Sequence, residues 1–434
     1  MNKLLIFTIC CLLVAGLAGD TSSTVPGGLG PYEMYTRHIS VYPADARPGW
    51  HAETQGMTHD DAYWYITQKE DLWKIPLEFD LGNLPESSRI IHRSLDTYPN
   101  ICGAGFDHLG DPDYYSYNGH GYLVIPLEDN TDTCGGPGTT QAVGVFRTTD
   151  SLDYLGSAPM NVSESIKSDG SWLAVDPQGI ISASRTWKDI IGIDHYSLDW
   201  GQLESNPPVV ALSYSGSNYL YEAGNPLTIQ HSQGADFSES GDLLFVLTGG
   251  TDWFEPNDWC AIHVFDTTQA NWQRIAVSSQ DPNDLFYYEC HPGCCLWEES
   301  EGVDVGDMDD KQAPGIQGQL HVLQLDDESP HSLDSVYFEH LSGVLYVDAA
   351  YGGGEGDGTR DRPYTTVNQA LQFAWNGTKI KIQGGGYPET LTLSKYIQFS
   401  ARGSAAVVGT NGSLWLAPSG VINLSGTGQV KLYP

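Results

Sequence analysis

Apolar positions along this chain come in short bursts separated by turns, running continuously or alternating with a period of two. Ala62-Tyr-Trp-Tyr-Ile-Thr67, Gly121-Tyr-Leu-Val-Ile-Pro-Leu127, Leu243-Leu-Phe-Val-Leu247 and Gln319-Leu-His-Val-Leu-Gln-Leu325 are examples, rich in the β-branched and aromatic residues that favour strands. Helical periodicity is nearly absent. The bursts recur in a larger unit: Gln55-Gly-Met-Thr58, His108-Leu-Gly-Asp111, Leu173-Ala-Val-Asp176, Gln233-Gly-Ala-Asp236 and Glu301-Gly-Val-Asp304 form one series, spaced 53 to 68 residues apart. Strands this short cannot bury both faces of a lone sheet, so the sheets must stack, and one four-stranded blade per repeat around an axis does this. The pattern predicts a five- or six-bladed β-propeller over residues 35–340. Five blades follow from the repeats, residues 35–42 are expected to close the ring against the last one, and residues 203–228 are the place for a sixth. A sandwich or an elongated solenoid are the competing architectures.

Beyond residue 341 the composition changes. A strand leads into the Gly352-Gly-Gly-Glu-Gly-Asp-Gly358 loop, a short amphipathic helix follows near Ala370, and then brief strands are punctuated by Gly or Asn-Gly. Short strands at short intervals predict a parallel β-helix. Tyr346-Val-Asp348, Arg362-Pro-Tyr-Thr-Thr-Val367 with Ala370, Ile380-Lys-Ile382 and Gly386-Tyr-Pro-Glu389 resemble the start of pectin-lyase-like right-handed β-helix proteins of secreted bacterial origin. The resemblance covers roughly the last 90 residues. It implies that fold over residues 341–434 without the lyase chemistry, whose residues lie on later rungs than this chain provides. The repeat region resembles secreted propellers at the level of pattern only.

Composition narrows the function. A formal charge of −35 opposes binding to nucleic acid or to an anionic lipid face. With 12 Trp and 24 Tyr in 434 residues, the chain has ample apolar material for packed cores. Residues 1–19 read as a signal peptide, with Lys3 before an apolar run that is too short to favour a membrane span, and residues 20–34 as a linker. A secreted or extracellular location follows, with the periplasm or cell surface as variants. Outside the leader stand Cys102, Cys134, Cys260, Cys290, Cys294 and Cys295, an even number that predicts disulfides in an exported chain. Cys102 with Cys134, and Cys260 with the later cluster, are the expected pairings. The cluster's spacing fits no common zinc pattern.

The fourth column of the repeat carries the sharpest chemistry: Thr58, Asp111, Asp176, Asp236 and Asp304 would approach the axis together. Two readings compete. Each Asp accepts backbone N–H bonds in a turn, or Asp111, Asp176, Asp236 and Asp304 hold calcium and supply paired acids for glycoside hydrolysis. His108, Asp111, Asp113, Glu301 and Asp304 are the catalytic candidates; Gln55, Gln233, His291, Trp253 and Trp259 are candidate ligand-binding residues, the tryptophans through stacking on sugar rings. The glycine-rich loop has no Lys-Ser/Thr ending and is not a phosphate loop. The sequence carries no unambiguous catalytic set, so it points first to a secreted binding protein that recognises a glycan or a cell-surface partner. The alternatives are a calcium-dependent hydrolase or lyase acting in the central channel, and a structural surface protein.

Overall fold

The computed structural model describes residues 37–128, 141–160, 171–184, 189–249, 260–282, 286–289, 298–309, 311, 313–326, 335–354, 356–374, 378–393, 397–409, 414–416, 421–424 and 430–431. The chain divides between Val344 and Leu345 into two units.

In the first unit the repeats become five antiparallel blades. Blade 1 is Thr54–His59, Tyr63–Gln68, Asp71–Pro76 and Ile91–Ser94, paired in that order. Blade 2 has an inner strand in two pieces, His108–Leu109 and Asp113–Tyr117, followed by His120–Glu128, Ala142–Arg147 and Asp153–Pro159. Blade 3 runs Ala174–Val175, Ile180–Ser184, Gly192–Leu198 and Leu212–Glu222; blade 4 runs Ser232–Phe237, Leu243–Thr248, Ala261–Asp266 and Trp272–Val277. Blade 5 is Glu298–Val305, Leu320–Asp326 and Ser335–Ser342, and its outer place is taken by Arg37–Val41 from the other end of the unit. The innermost strands touch in the order 1-2-3-4-5 and back to 1, which makes a closed ring.

Local chemistry explains individual turns. Asn118 and Gly119 both adopt positive φ, 51° and 80°, and join Tyr117 to His120 as the two-residue hairpin that Asn-Gly favours. Packing explains the continuous apolar runs. Trp64 and Ile66 face the core shared with blade 5, whereas Tyr65 between them faces the core shared with blade 2. In blade 2, Leu123 and Ile125 point to blade 1, and Tyr122 and Val124 point to blade 3. A sheet buried on both faces needs apolar residues at odd and even positions alike.

The expected ring closure by the first strand is present, and His340 Nε2 fastens it by a 2.9 Å contact to the Tyr42 carbonyl. The sixth blade at residues 203–228 is corrected: Leu212–Glu222 is the outer strand of blade 3, pairing with Gly192–Leu198. Its end also pairs with Trp272–Val277, which joins blades 3 and 4 into one sheet.

In the second unit the parallel β-helix expectation is not met. Lys379–Tyr387 and Ile397–Val408 do lie parallel, with Ile380 beside Phe399, but Leu414–Leu416 and Val421–Leu424 return antiparallel onto Ile397–Val408. Short strands separated by glycine fit hairpins as well as rungs, so strand spacing alone does not distinguish them. The predicted helix forms over Val367–Phe373, where Thr366 and Gln369 make a reciprocal capping box. Val367 and Ala370 pack with Ile380, Ile382 and Phe399 in this unit's core. Among the described residues no helix is long and apolar enough to cross a membrane. The disulfide expectations rest on Cys134, Cys290, Cys294 and Cys295, which lie outside the described residues, as do the leader and the linker.

Candidate active site

Alternate residues of a strand share a face, so two positions on each inner strand reach the axis at two levels. At the upper level stand Thr58, Asp113, Asp236 and Asp304, from blades 1, 2, 4 and 5, and all four line one cavity of about 720 Å³. Two residues earlier on the same strands stand Gly56, Asp111, Gly234 and Gly302.

Each upper carboxyl is held in a particular way. Asp113 Oδ1 accepts from Tyr114 N at 2.6 Å, and its Oδ2 accepts from Val175 N of blade 3 at 2.5 Å. Asp236 repeats the pattern, with Phe237 N at 2.6 Å and Val305 N of blade 5 at 2.7 Å. Each carboxyl thus bridges its own strand to another blade. Asp304 Oδ2 instead meets the Nδ1 of His59 at 2.7 Å; a carboxylate there accepts from Nδ1–H and leaves Nε2 as the other nitrogen of a ring that also lines the cavity. Burial pushes Asp113 up to about 8, against the lowering effect of its backbone N–H bonds. Burial raises Asp236 well above the usual carboxylate range, and the charges of Asp113 and Asp304 add to the shift. Asp60, Asp61, Asp176, Glu239, Asp307 and Lys311 complete the charged part of the wall, with Lys311 paired to Asp61.

The candidates read from the sequence separate at this point. Asp113, Asp236 and Asp304 come together. Asp111 is fully buried and outside the cavity lining, so its place in the column is corrected in favour of Asp113. The cause is a two-residue offset in the motif alignment: Asp113 pairs with Val124 as Thr58 pairs with Tyr65, Asp236 with Phe245 and Asp304 with His321, and in all four blades the inner strand carries the same one extra residue just before this level. Asp176 reaches the wall, but its Oδ1 accepts from Gln178 N at 2.8 Å and Ile180 N at 2.9 Å, the structural turn role. His108, with Nδ1 3.2 Å from Glu128 Oε2, does not line the cavity, and neither do the buried Glu301 or the half-buried Gln55 and Gln233. His291, Trp253 and Trp259 lie outside the described residues. His59 escaped the sequence reading; its place directly after the repeat's fourth column was the available signal.

Calcium does not fit the four acids proposed for it. They do not share one level, and Asp236 has both oxygens facing backbone N–H donors. Among the described residues no three His, Cys, Asp or Glu side chains are grouped to hold a metal ion.

No family model matches the chain. No curated protein matches it either. Solved structures do. One is a GH43_1 enzyme from Xanthomonas citri complexed with xylose, 11% identical, covering 67% of this chain and 87% of that one at a TM-score of 0.40. A second is CoXyl43, a GH43 beta-xylosidase/alpha-arabinofuranosidase from a compost microbial metagenome, in complex with xylotriose and in calcium-free form, with 12% identity, 69% and 94% coverage and a TM-score of 0.40. A third is the native Bacillus subtilis arabinanase Arb43A, with 11% identity, 70% and 96% coverage and the same TM-score of 0.40. The expectation of a non-enzymatic binding protein is corrected here on the geometry of this chain itself, in which three acids converge on one open cavity.

Proposed function

We propose that the first unit hydrolyses glycosidic bonds of a neutral glycan in this cavity. The observation that supports the reading is the meeting of Asp113, Asp236 and Asp304 on one cavity wall, with Asp236 raised above the usual carboxylate range and Asp304 hydrogen-bonded to His59. Glycoside hydrolysis needs one carboxylic acid and one carboxylate flanking the bond. Asp236, neutral through burial and two neighbouring acids, donates its proton to the leaving oxygen as the C–O bond breaks. Asp304, oriented by His59, takes a proton from the water whose oxygen joins the anomeric carbon. The wall's further acids, Asp60, Asp61, Asp176, Glu239 and Asp307, disfavour uronates and sulfated sugars and leave a neutral glycan as the substrate class. An extracellular setting belongs to the same proposal, because residues 1–19 read as a leader.

The test is a panel of neutral aryl and alkyl glycosides, pentosides included, with release of the sugar measured for the unmodified protein and for Asp304→Asn. Turnover that Asp304→Asn removes supports the reading, and turnover that survives the change sinks the assigned role. Absence of any hydrolysis across the panel overturns the reading altogether.

The raised value of Asp113 makes a separate prediction. Its neutral form stabilises the fold fully below the ordinary Asp value of about 3.9, and this contribution is lost as pH rises through about 8. The unfolding temperature is expected to fall between pH 5 and 9, and to fall less in Asp113→Asn. A parallel decline in both proteins would show that Asp113 does not titrate there.

A further inference from the structure

We propose that Asp111 is a positioning residue: its carboxyl occupies the lower level of the ring as a fixed spacer that sets where Thr58, Asp113 and Asp304 stand on the cavity wall. The inference deepens the hydrolase reading of that cavity, and half of its test does not depend on catalysis.

The geometry is specific. Asp111 is 0% exposed. Its Oδ1 accepts from Met57 N at 3.2 Å, and the Val303 N–H also bonds to this carboxyl. Met57 immediately precedes Thr58, and Val303 immediately precedes Asp304. One carboxyl therefore grips blades 1 and 5 one residue below their wall positions, and its own strand presents Asp113 two residues later. The backbone of Asp111 ties in blade 3 as well, since its N–H donates to the Ser171 carbonyl at 2.9 Å and its carbonyl accepts from Leu173 N at 3.3 Å.

The glycines of the repeat are the complement of this side chain. A Cβ on Gly56 would lie 2.1 Å from Asp111 Oδ1, one on Gly302 would lie 2.8 Å from the same atom, and one on Gly234 would lie 2.9 Å from Oδ2. Real Cβ atoms do not approach other atoms so closely. Three blades thus omit a side chain at this level, and the fourth supplies the one that fills the space. Asp111 Oδ2 has no hydrogen-bond partner among the described residues, whereas Oδ1 accepts from Met57 N of blade 1. A small apolar residue would fill less of the seat and hold neither strand, whereas an amide keeps both the size and the acceptor oxygen.

The experiment compares Asp111→Asn and Asp111→Ala with the unmodified protein by amide hydrogen exchange of the segments 54–59 and 298–305, and by kcat and KM on the glycoside that the panel identifies. Exchange in the two segments is expected to quicken at least tenfold in Asp111→Ala, with Leu243–Thr248 of blade 4 unchanged. In Asp111→Asn it is expected to stay within threefold. The Ala variant should lose kcat at least tenfold with KM within threefold, and the Asn variant should retain both. Exchange that quickens uniformly over all blades, or an Asn variant as damaged as the Ala variant, overturns the proposal. If Asp111→Ala does not fold, Asp111→Asn decides alone: retention of slow exchange in both segments supports the spacer, and a tenfold loss sinks it. A protein that hydrolyses nothing removes the hydrolase reading, while the exchange measurement still decides the role of Asp111.

Discussion

Gly56→Ala is expected to destabilise the first unit by about 3 kcal/mol or more, at the upper end of what overpacking of a core costs. The added methyl meets Asp111 Oδ1 at 2.1 Å, but also its Cα at 2.5 Å and Cγ at 2.8 Å, so a rotation of one side chain does not relieve the clash. The inner strand of blade 1 or of blade 2 must move, and the cavity wall moves with it. Gly119→Ala is the matched control. It lies in the Asn-Gly hairpin with nothing within 4 Å of the added atom, so its cost is limited to the positive φ of 80°, about 1 kcal/mol. Equilibrium unfolding in urea of both variants measures the difference. Equal losses would mean that the lower level of the ring is loose enough to accept a side chain, which would also remove the basis for Asp111 as a spacer.

Asp236→Asn is expected to lower kcat/KM by about a thousandfold on an alkyl glycoside, within the range that general acid catalysis supplies. The loss should be smaller on a nitrophenyl glycoside, whose leaving oxygen needs little protonation. Asp304→Asn, which removes the base, should lose similarly on both. Asp236→Asn is expected to fold, since its amide oxygen still accepts from Val305 N and a buried ionisable group disappears, at the cost of the bond from Phe237 N. Asp176→Asn supplies the contrast. Its carboxylate closes a turn on Gln178 and Ile180, so the rate should stay within a few fold and the change should cost about 1 kcal/mol of stability. A rate loss in Asp176→Asn equal to that in Asp236→Asn would move the chemistry toward blade 3.

The fold of the first unit was largely legible because a propeller leaves two periodic marks in the chain. Every blade is buried on both faces, so strands such as Leu243–Thr248 run apolar at odd and even positions alike from Leu243 to Leu247, and every blade repeats the same inner-strand motif. The site was legible only in part. Alignment by composition placed Asp111 beside Asp236 and Asp304, whereas the period of two along a strand pairs Gly56 with Thr58, Asp111 with Asp113, Gly234 with Asp236 and Gly302 with Asp304. That two-residue offset is invisible in one strand's sequence, because the level of a residue is defined only against the strand it pairs with: Asp113 meets Val124 as Thr58 meets Tyr65. His59 was missed for a related reason. It acquires a role only through Asp304, 245 positions away.

By itself the sequence determined the all-β character of the chain, five copies of one inner-strand motif, a closing role for residues 35–42, the short helix near Ala370 and a net charge of −35. These follow from local periodicity and summed charge, which need no knowledge of distant neighbours. Only the tertiary structure decided which acids share a level of the ring, which of them merely closes a turn, and that the strands after Ile397–Val408 return antiparallel rather than stacking as rungs. Those outcomes depend on register and on strand partners far apart in the chain, and both are settled by packing rather than by any residue's own propensity.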